Sequence, residues 1–471
     1  MPSQEPDQPK TICFECVQEK YLRNEILKAG VEMVCSYCGE THAAYSLEDV
    51  ATRVNKAFED YYERVCDQTD IFGRPLDGEP VVWAIAGAAD ISEEAAKDIQ
   101  SILAERHYDH ELAKMSEDTE FGRWTKYSEK SIDTNAWREA WDDFEKSLKE
   151  RTRFFSRSAA ELLESVFEAV DSMKSGTDKS FVVNVGPDFP LKSLFRAREF
   201  QDYEVLEKCL GRPDLHLSGP PPRHAKAGRM NARGISVFYA AATAKVAIAE
   251  VRPPVGCFVV VARFDLLRNL RLLDLTALKD WIRLDGSIFD SEHLKLLQRV
   301  AFLQELSNRL TRPITPNDEA LEYVPTQAVA DFLASSPMKL DGIIFPSVQA
   351  SEGLNVVLFH KAALVEKFDL PEGSQIDVMP AFTYPNGDAS DYSVTVTLPA
   401  EPKPAPSADG DAFPSIKSMA ELEEEAAESR QASLKLAGDS MTVHYVKHVD
   451  VGTDHFAVNR YSRRASESSP F

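Results

Sequence analysis

The sequence predicts a multidomain chain: an N-terminal zinc ribbon and an all-α helical domain, followed by an α+β domain. Three observations carry that prediction. Two Cys-x-x-Cys pairs lie within residues 11–45. From Ser46 to about residue 175, apolar residues recur at helical spacing. Beyond about residue 180 the pattern changes to short β-branched and aromatic runs bounded by Gly, Pro, Asp and Asn.

At 471 residues the chain is long enough for several domains, each burying its own core. A net charge of −23 opposes general binding to DNA, RNA or an anionic membrane, because the long-range field repels polyanions. The balance reverses locally: Leu191 to Arg233 holds nine Lys/Arg against five Asp/Glu, which leaves room for a basic pocket. No apolar run approaches the eighteen or so residues that span a bilayer. The opening MPSQEPDQPK lacks a charged-then-apolar signal pattern, so a cytoplasmic protein is expected. Seven cysteines, an odd number with four at metal-ligand spacing, imply no disulfide framework.

Taken in order, residues 1–10 are polar and 11–45 hold the cysteine pairs. Ser46 is a candidate N-cap with Asp49 three residues on, and Leu47, Val50, Val54, Phe58, Tyr61 and Val65 follow at helical spacing. Further helices are expected from about Ser92, from about Asp133 (Trp137, Trp141, Phe144, Leu148) and around Leu162 to Val170. FVVNV, SVFYAA, CFVVVARF, RLLDL, DGIIFPS and NVVLF read as strands, with helical stretches at 289–310 and 325–335. AFTYP and YSVTVTL read as strands, 399–414 as a linker, 419–431 as a short acidic helix and MTVHYVKHVDV as one or two terminal strands. The expected division is 1–45, 46–175, 176–372 and 373–471, with the Pro-rich and acidic linker at about 399–432.

Cys13-Phe-Glu-Cys16 and Cys35-Ser-Tyr-Cys38-Gly39 offer four thiolates at the spacing of a zinc site. Four protein ligands leave no open position for water, so the expected role is structural. Cys66, Cys209 and Cys257 lie in apolar surroundings and read as core residues. In the helical segment, Arg106 and His110 approach the Arg-x4-His motif of HEPN-class RNases but stand one residue too close. A rival reading makes the ribbon and helices a nucleic-acid-binding or RNase adaptor. The net charge and that spacing speak against it.

GRMNARGISVFY, AIAEVRP, YVPTQAVADFL, DGIIFPS and GLNVVLF, in this order over about 190 residues, resemble the RES domain family. The cysteine knuckles and helices before them resemble, more weakly, the HEPN-like N-terminal domain of longer RES proteins. The resemblance implies an ADP-ribosyltransferase-like fold and an NAD-consuming activity. ADP-ribose would pass to water, phosphate or a protein, in a toxin often paired with an Xre-like antitoxin. On this reading Glu250, Arg196, Tyr239 and Ser347 are the catalytic candidates, and Gly228, Arg229, Asn231 and Asn355 the ligand-binding ones. Arg196 is expected at the end of a strand. A homo-oligomer is compatible with the reading.

The chemistry agrees. Cleaving the nicotinamide–ribose bond passes through an oxocarbenium-like state, which a carboxylate such as Glu250 can stabilise. Arg196 and Arg229 can clamp a pyrophosphate. Tyr239 can stack on nicotinamide, and Ser347 and Asn355 can bond ribose or the carboxamide. A buried Glu250 could alternatively pair with Arg252, with which it would share a face if both lay on a strand.

Overall fold

The computed structural model describes residues 9–65, 78–108, 119–174, 178–278, 286–312, 314–315, 317–350, 352–381, 391–399, 430–450 and 452–461. His110 and Cys66 lie outside the described residues, as does nearly all of AFTYP, the Pro-rich run and the acidic segment at 419–431. The chain divides into two compact units: Met1–Val183, Gly228–Ala232 and Leu272–Phe345; and Asn184–Ala227, Arg233–Arg271 and Pro346–Phe471. The four-part division by composition remains a proposal.

In the first unit, Thr11–Cys13, Thr41–Ser46 and Val31–Val34 form an antiparallel sheet with Thr41–Ser46 in the centre. Ser46 then caps the helix Leu47–Tyr61. Its Oγ accepts from the Asp49 amide at 3.1 Å, the N-cap bond, and donates to the Asp49 carboxylate at 2.6 Å. Ser92 caps Glu93–Arg106 through the Ala95 amide. Between them lies a helix, Val81–Ala89, that no cap announces in the sequence; its run VVWAIAGAA is almost wholly apolar. Ile12 and Leu22 of the cysteine segment share one core with Val50, Val54, Ile85, Ile99 and Leu103, so ribbon and helices fold around a common centre.

The helical segment is not all-α. Tyr62–Val65 and Glu79–Pro80 flank Lys126–Glu129 in a small antiparallel sheet. Tyr62-Glu-Arg-Val extends the chain directly from a helix end, and its partner lies some sixty residues away, so no local period marks it. Helix Asn135–Glu150 buries Trp141, Phe144 and Leu148, and stacks Trp137 on Phe302 of the helix Ser291–Thr311 at 5.7 Å. Arg138 and Glu305 tie the same two helices at 2.7 Å. Leu272–Asp274 runs parallel to Gly342–Ile344.

The second unit is built on an antiparallel sheet in the order Leu434–Leu436, Phe258–Leu266, Ser193–Phe200, Phe238–Ala241, Leu354–Leu358. Thr442–Tyr445 also pairs with Phe258–Leu266. One strand, Thr442–Tyr445, falls within MTVHYVKHVDV as expected, and Leu434–Leu436 is a strand the sequence reading did not include. Gln375–Met379 pairs with Ser393–Thr397, so the strand preceding YSVTVTL lies just upstream of AFTYP. Thr243 caps the helix Ala244–Glu250, which lays Val246 and Ala247 against Ala241, Phe195 and Ala197 of the sheet. That helix brings Glu250 to the sheet. Among the described residues, no helix is long and apolar enough to cross a membrane.

Candidate functional site

Three side chains of the second unit meet at one oxygen atom. Glu250 closes the helix Ala244–Glu250, Ser347 follows the strand Gly342–Pro346, and Asn355 lies on Leu354–Leu358. Ser347 Oγ donates to Glu250 Oε1 at 2.5 Å, and Asn355 Nδ2 donates to the same oxygen at 2.7 Å. Ser347 Oγ is itself aimed by the amides of Gln349 and Ala350, from which it accepts at 3.1 Å each. Its hydroxyl proton is therefore left for the carboxylate. A carboxylate at a helix C-terminus faces the negative end of the dipole, at a cost of about 0.3–1 kcal/mol. Two charge-assisted bonds offset that cost. Among the described residues, no hydrogen bond reaches Oε2, so Glu250 is pinned by one oxygen and presents the other.

The turn that carries Ser347 closes by a bond from its amide to the Gly353 carbonyl at 2.7 Å. A Cβ on Gly353 would fall 2.8 Å from Val246 Cγ2 and 3.0 Å from Ser347 Cβ, so only glycine lets helix and turn approach. Asn355 is 5% exposed, and its Oδ1 is buried without a hydrogen-bond partner among the described residues.

The sequence offers Arg252 as an alternative partner of Glu250 along a strand. Glu250 ends a helix, so the two do not share the face of a strand. Arg252 adopts φ 46°, unusual for a non-glycine residue. With the Gln349 carbonyl turned towards it, its Nη2 and Nε donate to that oxygen at 2.9 and 3.2 Å. It thus ties the end of the Glu250 helix to the Ser347 turn. No sequence spacing signals this contact.

Arg196 lies within the strand Ser193–Phe200, not at its end. The register pairs Phe195 with Ala241 and Ala241 with Asn355, placing these three on one face of the sheet. Arg196 is one residue out of phase and sits over the Phe238 ring, 4.8 Å from its centroid. Its Nη1 is buried without a hydrogen-bond partner among the described residues. Burial, then repulsion from Arg198, pulls its pKa down to about 10, with Tyr239 acting in the opposite sense. Tyr239 is half-buried and shares the sheet face of Asn355 by the same alternation.

Gly228, Arg229 and Asn231 belong to the first unit. Gly228 and Asn231 pair backbone to backbone in a tight turn, and Asn231 is 4% exposed. The Arg229 guanidinium donates to the carbonyls of Leu310 at 2.6 Å and Arg312 at 2.8 Å, and lies over Tyr323. It therefore caps the C-terminal end of the helix Ser291–Thr311, where a cation is favoured. Gln327 and Thr326 hold the carbonyls of Gly228 and Arg229 from the helix Glu319–Ser335.

The four cysteines converge as their spacing predicts. All four sulfurs lie within 4.8 Å of one another, with Cys13–Cys38 at 3.7 Å and Cys35–Cys16 at 3.8 Å. A tetrahedron of sulfurs about 2.3 Å from zinc has edges of about 3.8 Å, so the cluster fits that ion. Burial raises the Cys35 thiol, but the amides of Cys38, Tyr37 and Cys13 outweigh it and bring it to about 7. Gly39, at φ 77°, turns the chain directly after Cys38. Cys209 and Cys257 are buried, and burial pushes both thiols up.

Residues 206–377 match the family model described as the RES domain. The match includes Tyr239, Glu250, Ser347, Asn355 and the Gly228–Asn231 turn, and begins after Arg196. No curated protein and no solved structure matches the chain. The chain is thus similar to the RES domain over residues 206–377.

Proposed function

We propose that this protein degrades NAD by cleaving the nicotinamide–ribose bond, as a glycohydrolase, a phosphorylase or an ADP-ribosyltransferase, and acts as a bacterial toxin or defence effector. The observation that carries this reading is the Glu250 carboxylate, pinned at Oε1 by Ser347 and Asn355 and open at Oε2, inside the RES match. A fixed carboxylate with a free oxygen suits a ribose hydroxyl in the ground state and the developing positive charge in the transition state. Nicotinamide leaves as a neutral molecule, so no acid is required. The buried Asn355 Oδ1 would accept from a ribose hydroxyl or the carboxamide. We assign the Arg196 guanidinium to the pyrophosphate, which it could meet only if the ligand reaches beyond the sheet face that carries Asn355. The four cysteines would hold one zinc ion as a structural brace. In this reading the protein is cytoplasmic, an Xre-like antitoxin is a partner, and the cysteine ribbon and helical segment up to about residue 175 serve as a sensing or docking module.

Binding is tested apart from turnover with Glu250→Gln, which keeps the side-chain shape and removes the charge. Titration of this variant with NAD should give saturable binding, weakened in a Glu250→Gln/Arg196→Met double variant. Absence of NAD binding to the folded variant would count against the reading.

A further inference from the structure

Arg252 stands where a helix end favours glycine. The helix Ala244–Glu250 ends at Val251, and Arg252 follows it at φ 46°. The Arg252 amide donates to the Ala249 carbonyl at 3.1 Å, the inner bond of a left-handed helix end, whose usual residue is glycine. Pro253 has no N–H and cannot add the outer bond, and its ring pushes the residue before it towards extended backbone. Left-handed backbone disfavours a residue with a Cβ by roughly tenfold in population. Three local rules thus oppose arginine here. Strain of this kind persists only where the surroundings hold it in place.

The side chain accounts for the exception. With the Gln349 carbonyl turned towards it, Arg252 Nη2 and Nε donate to one oxygen at 2.9 and 3.2 Å. The Gln349 amide donates to Ser347 Oγ at 3.1 Å, and Ser347 Oγ donates to Glu250 Oε1 at 2.5 Å. Val251 alone separates Glu250 from Arg252, so the bonds close a ring: Glu250, Arg252, Gln349, Ser347 and back to Glu250. Every member lies in the second unit. The bond from the Ser347 amide to the Gly353 carbonyl fixes the shape of the turn itself. A lone Ser347–Glu250 bond would let that turn pivot about it. The two-pronged Arg252 contact is a second tie to the helix end, and it limits the pivot.

We propose that Arg252 is a positioning residue for the site. It holds the turn so that the Ser347 hydroxyl stays on Glu250 Oε1 and leaves Oε2 facing the ligand. The chain gives up stability at residue 252 for the geometry of Glu250. The bearing on turnover rests on the NAD-cleaving reading; the bearing on the turn does not.

The test compares the full wild-type chain with Arg252→Ala, Arg252→Gly and Gln349→Ala. All three variants break the tie, and Arg252→Gly alone also relieves the backbone. Amide hydrogen exchange reads the turn without any ligand. The Gln349 and Ala350 amides, which bond Ser347 Oγ, should exchange about three- to tenfold faster in all three variants. Arg252→Gly should melt about 2–4 °C above Arg252→Ala. In nicotinamide release from NAD, each variant should lose about three- to tenfold in kcat with little change in KM, since a misplaced Glu250 meets the developing charge less well. Arg252→Ala should add nothing to Ser347→Ala, because it acts through that hydroxyl. Unchanged exchange at Gln349 and Ala350 overturns the proposal. So does a wild-type kcat in Arg252→Gly, because the loss in Arg252→Ala would then reflect stability alone. A further loss on adding Arg252→Ala to Ser347→Ala overturns it as well. A wild-type protein that releases no nicotinamide counts against the NAD-cleaving reading instead, and the exchange rates then decide the role of Arg252.

Discussion

Arg196 holds a charge that the fold shelters and leaves partly unsatisfied, and replacing it with methionine separates stability from function. The guanidinium lies over Phe238, and its Nη1 is buried without an acceptor. Leaving a buried donor unmet costs about 1–3 kcal/mol. The cation–π contact with Phe238 returns about 0.5–2 kcal/mol. Methionine keeps a flexible apolar stem against the ring and removes the unmet donor. The net expectation for Arg196→Met is a gain of about 1 kcal/mol, or about 2–4 °C in Tm for a unit of this size. The sign with pH follows from the depressed pKa of about 10. The charged form is the disfavoured one in the fold, so its cost is fully present at neutral pH and fades only as pH rises past that value. Thermal unfolding near neutral pH therefore reads the whole effect, and titration with NAD reads the function. A variant that is more stable and binds NAD more weakly is expected. A variant that loses more than about 1 kcal/mol, or that binds NAD as wild type does, would refute the reasoning.

Ser347→Ala removes one of the two donors to Glu250 Oε1 and should lower kcat/KM for nicotinamide release by about 10–100-fold, with the circular dichroism spectrum unchanged. Asp214, whose side chain is fully buried, bonds Arg212 at 2.7 Å and the Phe368 amide at 3.0 Å. Burial raises its pKa, but these partners outweigh it and hold the carboxyl below its ordinary value. Its stabilisation is therefore present above the unfolded pKa and lost as pH falls through the folded one. Asp214→Asn should cost about 3 kcal/mol near neutral pH, and chemical denaturation should show the gap to wild type closing in acid. Zinc released by a thiol-modifying reagent should total one ion per chain, and Cys35→Ser should lose it together with the cooperative unfolding of the first unit.

The parts legible in the sequence are those fixed by neighbours along the chain. Ser46 and Ser92 announce their helices because a cap is a local bond. The runs FVVVARF and IIF read as strands because they are β-branched and aromatic throughout. The cysteine spacing gave the cluster for the same reason. Register was not legible. The face that Arg196 takes depends on Phe195 pairing with Ala241, a contact between residues over forty apart. The strand Tyr62–Val65 depends likewise on a distant partner. Arg229 read as a phosphate ligand through the family resemblance, and its bonds to Leu310 and Arg312, at the end of a helix some eighty residues on, had no signal in the sequence. Glu250, Ser347 and Asn355 were found together only through a family resemblance; the shared oxygen that joins them is visible only in three dimensions.

Nicotinamide release from NAD by the purified protein, beside Glu250→Gln and with and without phosphate, tests the central claim most directly. The account predicts release that depends on Glu250, with the phosphate dependence distinguishing hydrolysis from phosphorolysis. Release that persists undiminished in Glu250→Gln would contradict it, as would no release from folded, zinc-loaded protein supplied with water, phosphate and a protein acceptor.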